Sequence, residues 1–103
     1  MDIYFRTFHV YDKAFTKEIG RITVAKRFSG EGIQIGVAYC GPKDRYNKKK
    51  GQLIASGRLI KGGTGKRVQL TDRTLATIKE AVLALAEVRK TKWLVGIETT
   101  QLV

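Results

Sequence analysis

Two apolar segments joined by a glycine-containing turn place the strongest constraint on the fold of this chain. Residues 33–40 carry large side chains at every second position, which is the period of a strand with one buried face. Those positions are Ile33, Ile35, Val37 and Tyr39. Residues 19–28 alternate in part, and residues 29–32 between the two segments supply two glycines for a tight turn. The pattern predicts an antiparallel hairpin that ends at Gly41-Pro42, because proline cannot donate to a strand ladder.

Three further elements are predicted on either side of this hairpin. Residues 3–11 are dense in aromatic and β-branched residues and indicate another strand. Residues 73–90 have apolar side chains at helical spacing, with Asp72 as the N-cap. Residues 93–99 indicate a last strand that returns to the sheet.

The middle of the chain allows two interpretations. Asn47 can cap a helix over residues 48–60 that stops at Gly62-Gly63. Gly51 and Gly57 oppose it, since each costs about 1 kcal/mol relative to alanine inside a helix. A helix would place Gly51 and Ala55 on one face, where they permit close approach of another backbone. The alternative is a loop followed by a short strand over residues 53–59.

The predicted fold is α+β: a small antiparallel sheet of three to five strands, covered on one face by a long helix in the C-terminal half, with a short middle helix if residues 48–60 are helical. The 103 residues correspond to a single domain, 1–103. No apolar run is long enough to cross a membrane, and Asp2 stands where an export signal would carry basic residues. The single cysteine, Cys40, fits a reducing compartment, so the predicted location is cytoplasmic.

Charge is concentrated in residues 42–67, which hold nine basic residues against one acid, Asp44, in a chain of net charge +11. A field concentrated in this way attracts polyanions, and nucleic acid, DNA or RNA, is the leading expected partner. An acidic protein surface is the next. The predicted nucleic-acid-binding residues are Lys43, Arg45, Tyr46, Lys48, Lys49, Lys50, Arg58, Lys61, Lys66 and Arg67.

Different members of this set have different expected roles. Arg45, Arg58 and Arg67 are suited to bidentate contacts with phosphate or guanine, whereas the lysines steer the ligand and release counterions. Tyr46 is the best candidate for base stacking because its neighbours are polar and basic. Phe28, beside Lys26 and Arg27, can extend a basic groove along the edge of the hairpin.

No motif indicates catalysis, a cofactor or a metal, and the protein is predicted not to be an enzyme. The glycine-rich segment 62–67 resembles a nucleotide-binding P-loop only superficially, since Ile60 and Arg67 stand where that motif needs glycine and Ser or Thr. One cysteine and one histidine, His9, argue against a zinc site. A lone cysteine on an apolar strand is usually a small buried hydrophobe. The carboxylates are scattered, without the convergence that a metal-dependent nuclease needs.

Residues 40–59 resemble a pattern found in small phage-encoded proteins. The pattern is a cysteine, a Pro-Lys-Asp turn, an aromatic residue, a lysine run, a glycine and an Ile-Ala-x-Gly-Arg-Leu end. The resemblance implies a phage or mobile-element origin and a bacterial host cytoplasm as the place of action. Together with the charge it gives the predicted function, a non-enzymatic nucleic-acid-binding protein driven by charge and backbone contacts.

Two other functions follow from the same features. The first is a small phage inhibitor that docks on an acidic surface of a host or defence protein, since the basic segment serves that purpose equally well. The second is a structural protein that organises a genome as a homodimer, formed through a sheet edge or the C-terminal helix.

Overall fold

The predicted hairpin is the centre of a four-stranded sheet. The computed structural model describes residues 2–103. Its strands are β1 (Tyr4–Tyr11), β2 (Glu18–Ser29), β3 (Gly32–Cys40) and β4 (Arg67–Leu70). Neighbours are antiparallel throughout, in the order β1-β2-β3-β4. Two helices, α1 (Lys48–Lys61) and α2 (Leu75–Val88), and two 3-10 turns, Lys92–Leu94 and Thr99–Gln101, complete the chain. The α+β class with a small antiparallel sheet is confirmed.

The two helices lie against opposite faces of the sheet. Ile78 and Val82 of α2 share one buried cluster with Ile22 and Val24 of β2. Ala55 and Leu59 of α1 form a separate cluster with Ala25 and Ala38, whose side chains point the other way because neighbouring strand residues alternate between faces. The prediction of a long helix in the C-terminal half is not confirmed, since α2 has 14 residues, as many as α1.

Small residues bring α1 into direct contact with the strand backbone. A methyl group added at Gly36 of β3 would lie 2.4 Å from both the carbonyl oxygen of Ala55 and the amide nitrogen of Leu59. One added at Gly51 would lie 2.8 Å from the Oγ1 atom of Thr23. The close approach anticipated for Gly51 and Ala55 is therefore present, and it accounts for a glycine at position 51 of the helix.

Local signals set the two ends of α1. The Oδ1 atom of Asn47 accepts a hydrogen bond of 3.0 Å from the Lys50 amide, as expected for an N-cap. Gly62 caps the other end with a φ of 62°, a conformation that favours glycine. The predicted middle helix is confirmed to within a residue, and the alternative loop and strand over residues 53–59 is wrong.

The start of α2 differs from the prediction. The helix begins at Leu75 and ends at Val88, inside the predicted range of 73–90, and its N-cap is Thr74 rather than Asp72. The Thr74 side chain accepts a hydrogen bond from the Thr77 amide at 3.3 Å, while Asp72 accepts from the Thr74 amide at 2.7 Å. Asp72 therefore orders the turn before the helix, and its pKa is lowered by that bond.

The predicted last strand over residues 93–99 is wrong. The two ends of this segment belong to the 3-10 turns, and Gly96 between them has a φ of 80°, which interrupts an extended conformation. Trp93 packs against Gly20 of β2 and against Gly41, which follows β3: a methyl group at Gly20 would lie 2.6 Å from its ring and one at Gly41 3.0 Å. Trp93, Leu94 and Ile97 pack on the core instead, whereas Val95 is exposed.

Main-chain pairing with β1 comes from the last residues of the chain instead. Leu102, which is fully buried, forms an isolated bridge with Val10. His9 and Val103 exchange two main-chain hydrogen bonds, of 2.8 and 2.9 Å. Part of the free edge of β1 is covered in this way.

Candidate nucleic-acid interface

The basic residues predicted to bind nucleic acid divide between the two ends of α1. Seven of them are exposed, and we refer to this set as the α1 basic surface: Lys43, Arg45, Lys48, Lys49, Lys50, Lys61 and Lys66. Within residues 2–103 none of the seven takes part in a salt bridge, because the two salt bridges found there join Glu18 to His9 and to Arg21. The helix between the two groups is about 21 Å long, the length of roughly six nucleotides along one strand of a duplex.

The one acid of the basic segment is turned toward its own loop. The Oδ2 atom of Asp44 accepts a hydrogen bond of 3.2 Å from the Gly41 amide, and the Asp44 amide donates to the Gly41 carbonyl at 3.1 Å. These bonds stabilise the turn between β3 and α1. The positive field of the neighbouring Lys43 and Arg45 is therefore not cancelled by an ion pair with this carboxylate.

Three lysines occupy a position that a helix disfavours. Lys48, Lys49 and Lys50 form the first turn of α1, which contains no acid. The N-terminus of a helix carries a partial positive charge, so each cation there costs about 0.3–1 kcal/mol when it is not screened. The same partial charge, together with unpaired amide groups, makes a helix N-terminus attractive to phosphate. The three lysines therefore destabilise the free protein relative to a state with an anion bound at the start of α1.

Tyr46 is held in place by a chain of polar contacts. The Arg21 guanidinium lies 4.5 Å from the centre of the Tyr46 ring, and its Nε atom donates to Glu18 at 2.7 Å. The bond from Arg21 and a second one with His9, at 2.8 Å, lower the pKa of Glu18. Tyr46 is half-buried and lines a pocket of about 440 Å³ together with Asn47 and Lys50. Arg21 occupies one face of its ring.

Arg58 and Arg67 differ from the rest of the predicted set because each binds the main chain. The Nη1 atom of Arg58 donates to the Val37 carbonyl at 2.7 Å, and burial lowers the pKa of the guanidinium. The Nη1 atom of Arg67 donates to the Leu59 carbonyl, near the end of α1, at 3.3 Å. Of the three arginines expected to make bidentate contacts, Arg45 alone is exposed, and the other two are half-buried.

Cys40 and His9 do not meet. Each is paired with Arg21, from opposite sides of β2, so their backbones lie two strand spacings apart, or about 10 Å. Burial, followed by the charge of Asp44, raises the pKa of the Cys40 thiol, which keeps it protonated at neutral pH. Among residues 2–103 there is no group of three His, Cys, Asp or Glu side chains that could hold a metal ion.

The outer side of α1 carries apolar residues that sequence reasoning missed. Leu53 and Ile60 are 70% and 59% exposed, and they share a face with Gly57, at spacings of four and three residues. A methyl group at Gly57 would contact no atom of residues 2–103 within 4 Å, so packing among those residues does not explain this glycine. Helical spacing could have revealed this side of α1. If residues 48–60 form a helix that buries Ala55 and Leu59, the same spacing places Leu53, Gly57 and Ile60 on the opposite side.

Comparison with known proteins gave no match to a protein-family model, to a curated protein or to a solved structure. The phage origin suggested by residues 40–59 thus stays a prediction. Over residues 2–103, neither helix combines the length and the apolar character required to cross a membrane.

Proposed function

We propose that this protein binds nucleic acid without catalysing a reaction, through the α1 basic surface and mainly through phosphate contacts. The observation that carries the proposal is the set of seven exposed cations at the ends of α1, free of salt bridges within residues 2–103, whose nearest acid in sequence, Asp44, bonds to its own loop. A phage or mobile-element origin and action in the host cytoplasm belong to the same proposal.

The arrangement supports binding that depends little on base sequence. Lysine is a compact point charge that neutralises phosphate without the fixed fork by which arginine reads a guanine edge. Phosphates placed at the first turn of α1 would offset the repulsion between Lys48–Lys50 and the helix dipole. Arg45 is the residue of this surface suited to a bidentate contact, and Tyr46 lines a pocket beside it.

The test is fluorescence anisotropy of labelled single-stranded DNA, duplex DNA and RNA at about 50 and about 200 mM salt. The triple variant K48Q/K49Q/K50Q should weaken binding to every sequence and reduce the salt slope for duplex DNA by up to about three units, one for each phosphate that the variant no longer neutralises. The matched control is K13Q/K17Q/K92Q, which removes three exposed lysines outside the α1 basic surface. Equal losses of affinity in the two triple variants would mean generic attraction to a basic protein and would overturn the proposal.

A second function is favoured by the apolar outer side of α1. Leu53 and Ile60 flank Gly57, which allows a partner backbone to approach closely. The exposed Lys50 and Lys61 lie one helical turn from Leu53 and Gly57 respectively. A surface with an apolar centre and basic rim suits an acidic host or defence protein, as an inhibitor would need. A nuclease-treated pull-down should then retain a stoichiometric host protein, and L53S should lose it while K13Q/K17Q/K92Q keeps it. Loss of the captured protein on nuclease treatment would exclude this function.

A further inference from the structure

A second group of exposed rings and cations lies on the face of the sheet away from α1. Tyr4 and Phe28 are 49% and 53% exposed, with ring centres 5.6 Å apart and planes inclined at 51°. Tyr4 pairs with Lys26, and Arg6 with the buried Val24. We call the following set the Tyr4–Phe28 surface: Tyr4, Arg6, Lys26, Phe28, Arg73 and Lys79.

The cations of this surface lie close to aromatic rings. The Arg73 guanidinium is 4.8 Å from the centre of the Phe28 ring, and the Arg6 guanidinium is 5.0 Å from that of Phe8. The Nζ atom of Lys79, on α2, is 6.0 Å from the Phe8 ring on the same side of the sheet. Strand register and α2 together bring side chains from three separate parts of the chain onto one surface.

No carboxylate of residues 2–103 forms an ion pair with these four cations. The acids nearest to them in sequence are Asp2, Glu31, Asp72 and Glu80; within residues 2–103 none of these forms a salt bridge, and Asp72 accepts a hydrogen bond from the Thr74 amide. Burial and the charge of Arg6 lower the pKa of Lys26, as expected where cations are crowded without a counter-ion.

Two half-exposed aromatic rings among cations without ion-pair partners reduce the stability of the fold, so a structural role alone does not explain them. Burying one such ring fully would be worth about 1.5–3 kcal/mol, which is forgone here. The like charges of Arg6 and Lys26 repel each other on neighbouring strands. Both features become favourable when a nucleic acid binds, because its bases stack on the rings while the cations neutralise its phosphates.

We propose that the Tyr4–Phe28 surface binds single-stranded nucleic acid, with a base stacked on Phe28 or Tyr4 and phosphates held by Arg6, Lys26, Arg73 and Lys79. This rests on the proposed function and adds to it the form of the substrate and a second contact, on the opposite face of the sheet from α1. A duplex keeps its bases stacked inside and offers this surface only phosphates. The surface therefore distinguishes unpaired strands from duplexes.

The experiment compares a labelled oligothymidylate with an abasic strand of the same length, both measured by anisotropy at about 100 mM salt. The variant F28L keeps an apolar side chain but removes the ring. Its matched control is F15L, because Phe15 is 51% exposed, at the turn between β1 and β2 and outside both proposed surfaces. F28L should bind oligothymidylate roughly tenfold or more weakly than the wild type and the abasic strand equally well, while F15L changes neither.

The outcomes separate this inference from the function on which it rests. If the wild type prefers oligothymidylate to the abasic strand and F28L loses that preference, the inference stands. If F28L behaves as the wild type while K48Q/K49Q/K50Q weakens both strands, the inference fails and the α1 surface alone binds. Absence of binding to any nucleic acid overturns both, and so does exclusive binding of an acidic protein.

A ring-retaining variant guards against a folding defect in F28L. F28W should keep the affinity, and its added indole fluorescence should be quenched by oligothymidylate but not by the abasic strand. F15W, the corresponding control, should show no quenching with either strand. Unquenched fluorescence of F28W in a complex with oligothymidylate would contradict stacking at this position.

Discussion

The side chain of Arg58 donates a 2.7 Å hydrogen bond to the main-chain carbonyl oxygen of Val37. Pairing between β3 and the short β4 ends at Gly36, one residue earlier. Arg58 therefore supplies the donor that a longer β4 would have supplied, and it ties α1 to the edge of the sheet.

Replacement of Arg58 should affect stability more than binding. R58A removes a charged donor from a partly buried carbonyl and should lower the free energy of unfolding by about 1.5 kcal/mol. R58K, which keeps the charge without the planar fork, should recover only part of that loss. Urea unfolding measures the stability and anisotropy the affinity; a loss of nucleic-acid affinity at unchanged stability would show that Arg58 is instead a ligand contact.

Gly57 of α1 and Gly36 of β3 should respond to alanine with opposite changes in stability. G57A, with open space around the added methyl, should raise the free energy of unfolding by about 0.5–1 kcal/mol. G36A forces a methyl against the α1 backbone and should lower it by about 1–3 kcal/mol. Chemical denaturation of the two variants beside the wild type checks both signs, and a stabilising G36A would mean that α1 does not lie against this strand.

The lysines at the start of α1 should make the free protein less stable. K48Q/K49Q/K50Q removes three cations from the helix N-terminus and should raise the free energy of unfolding by roughly 1 kcal/mol at low salt, because glutamine and lysine have similar helix propensity. The gain should shrink at high salt, where the dipole interaction is screened. Thermal unfolding in dilute and concentrated sodium chloride tests this, with K13Q/K17Q/K92Q as control. An equal increase in the stability of the control would show that the effect comes from the lower net charge and not from the helix dipole.

Glu18 should give a pH-dependent contribution to stability. Its hydrogen bonds with Arg21 and His9 lower its pKa in the folded state. A carboxyl whose pKa is lowered by folding stabilises the fold above its unfolded pKa of about 4.3, and that contribution is lost as the pH falls through the folded value. E18Q should be less stable than the wild type near pH 7, and the difference should disappear as the pH falls below the pKa of Glu18 in the folded state. E31Q, at a turn residue without a salt bridge in residues 2–103, should show no such convergence.

The features that were predicted correctly from the sequence depend on residues close together in the chain. The hairpin turn, the Asn47 cap and the Gly62 stop each depend on a few neighbouring residues, and all three occur in the structure. The end of the chain was predicted wrongly because residues 93–99 meet the propensity of a strand, while their structure depends on Trp93 packing against Gly20 and Gly41, distant in sequence.

The same distinction applies to the candidate sites. Charge density identified the exposed cations around α1, but it could not show that Arg58 and Arg67 bind carbonyl oxygens. Sequence analysis predicted only part of the Tyr4–Phe28 surface, namely Phe28 and Lys26. Its other members come from β1, the turn before α2 and α2 itself, and strand register rather than sequence proximity places them together.

The pairing of His9 with Val103 bears on the order in which the chain folds. These residues are separated by almost the whole sequence, so their two hydrogen bonds close a very large loop, at an entropic cost that the nearby β1–β2 and β2–β3 hairpins do not incur. The hairpins can therefore form early, and the attachment of residues 102–103 to β1 belongs among the last steps. Hydrogen-exchange pulse labelling during refolding should show the amides of β2 and β3 protected before that of Val103.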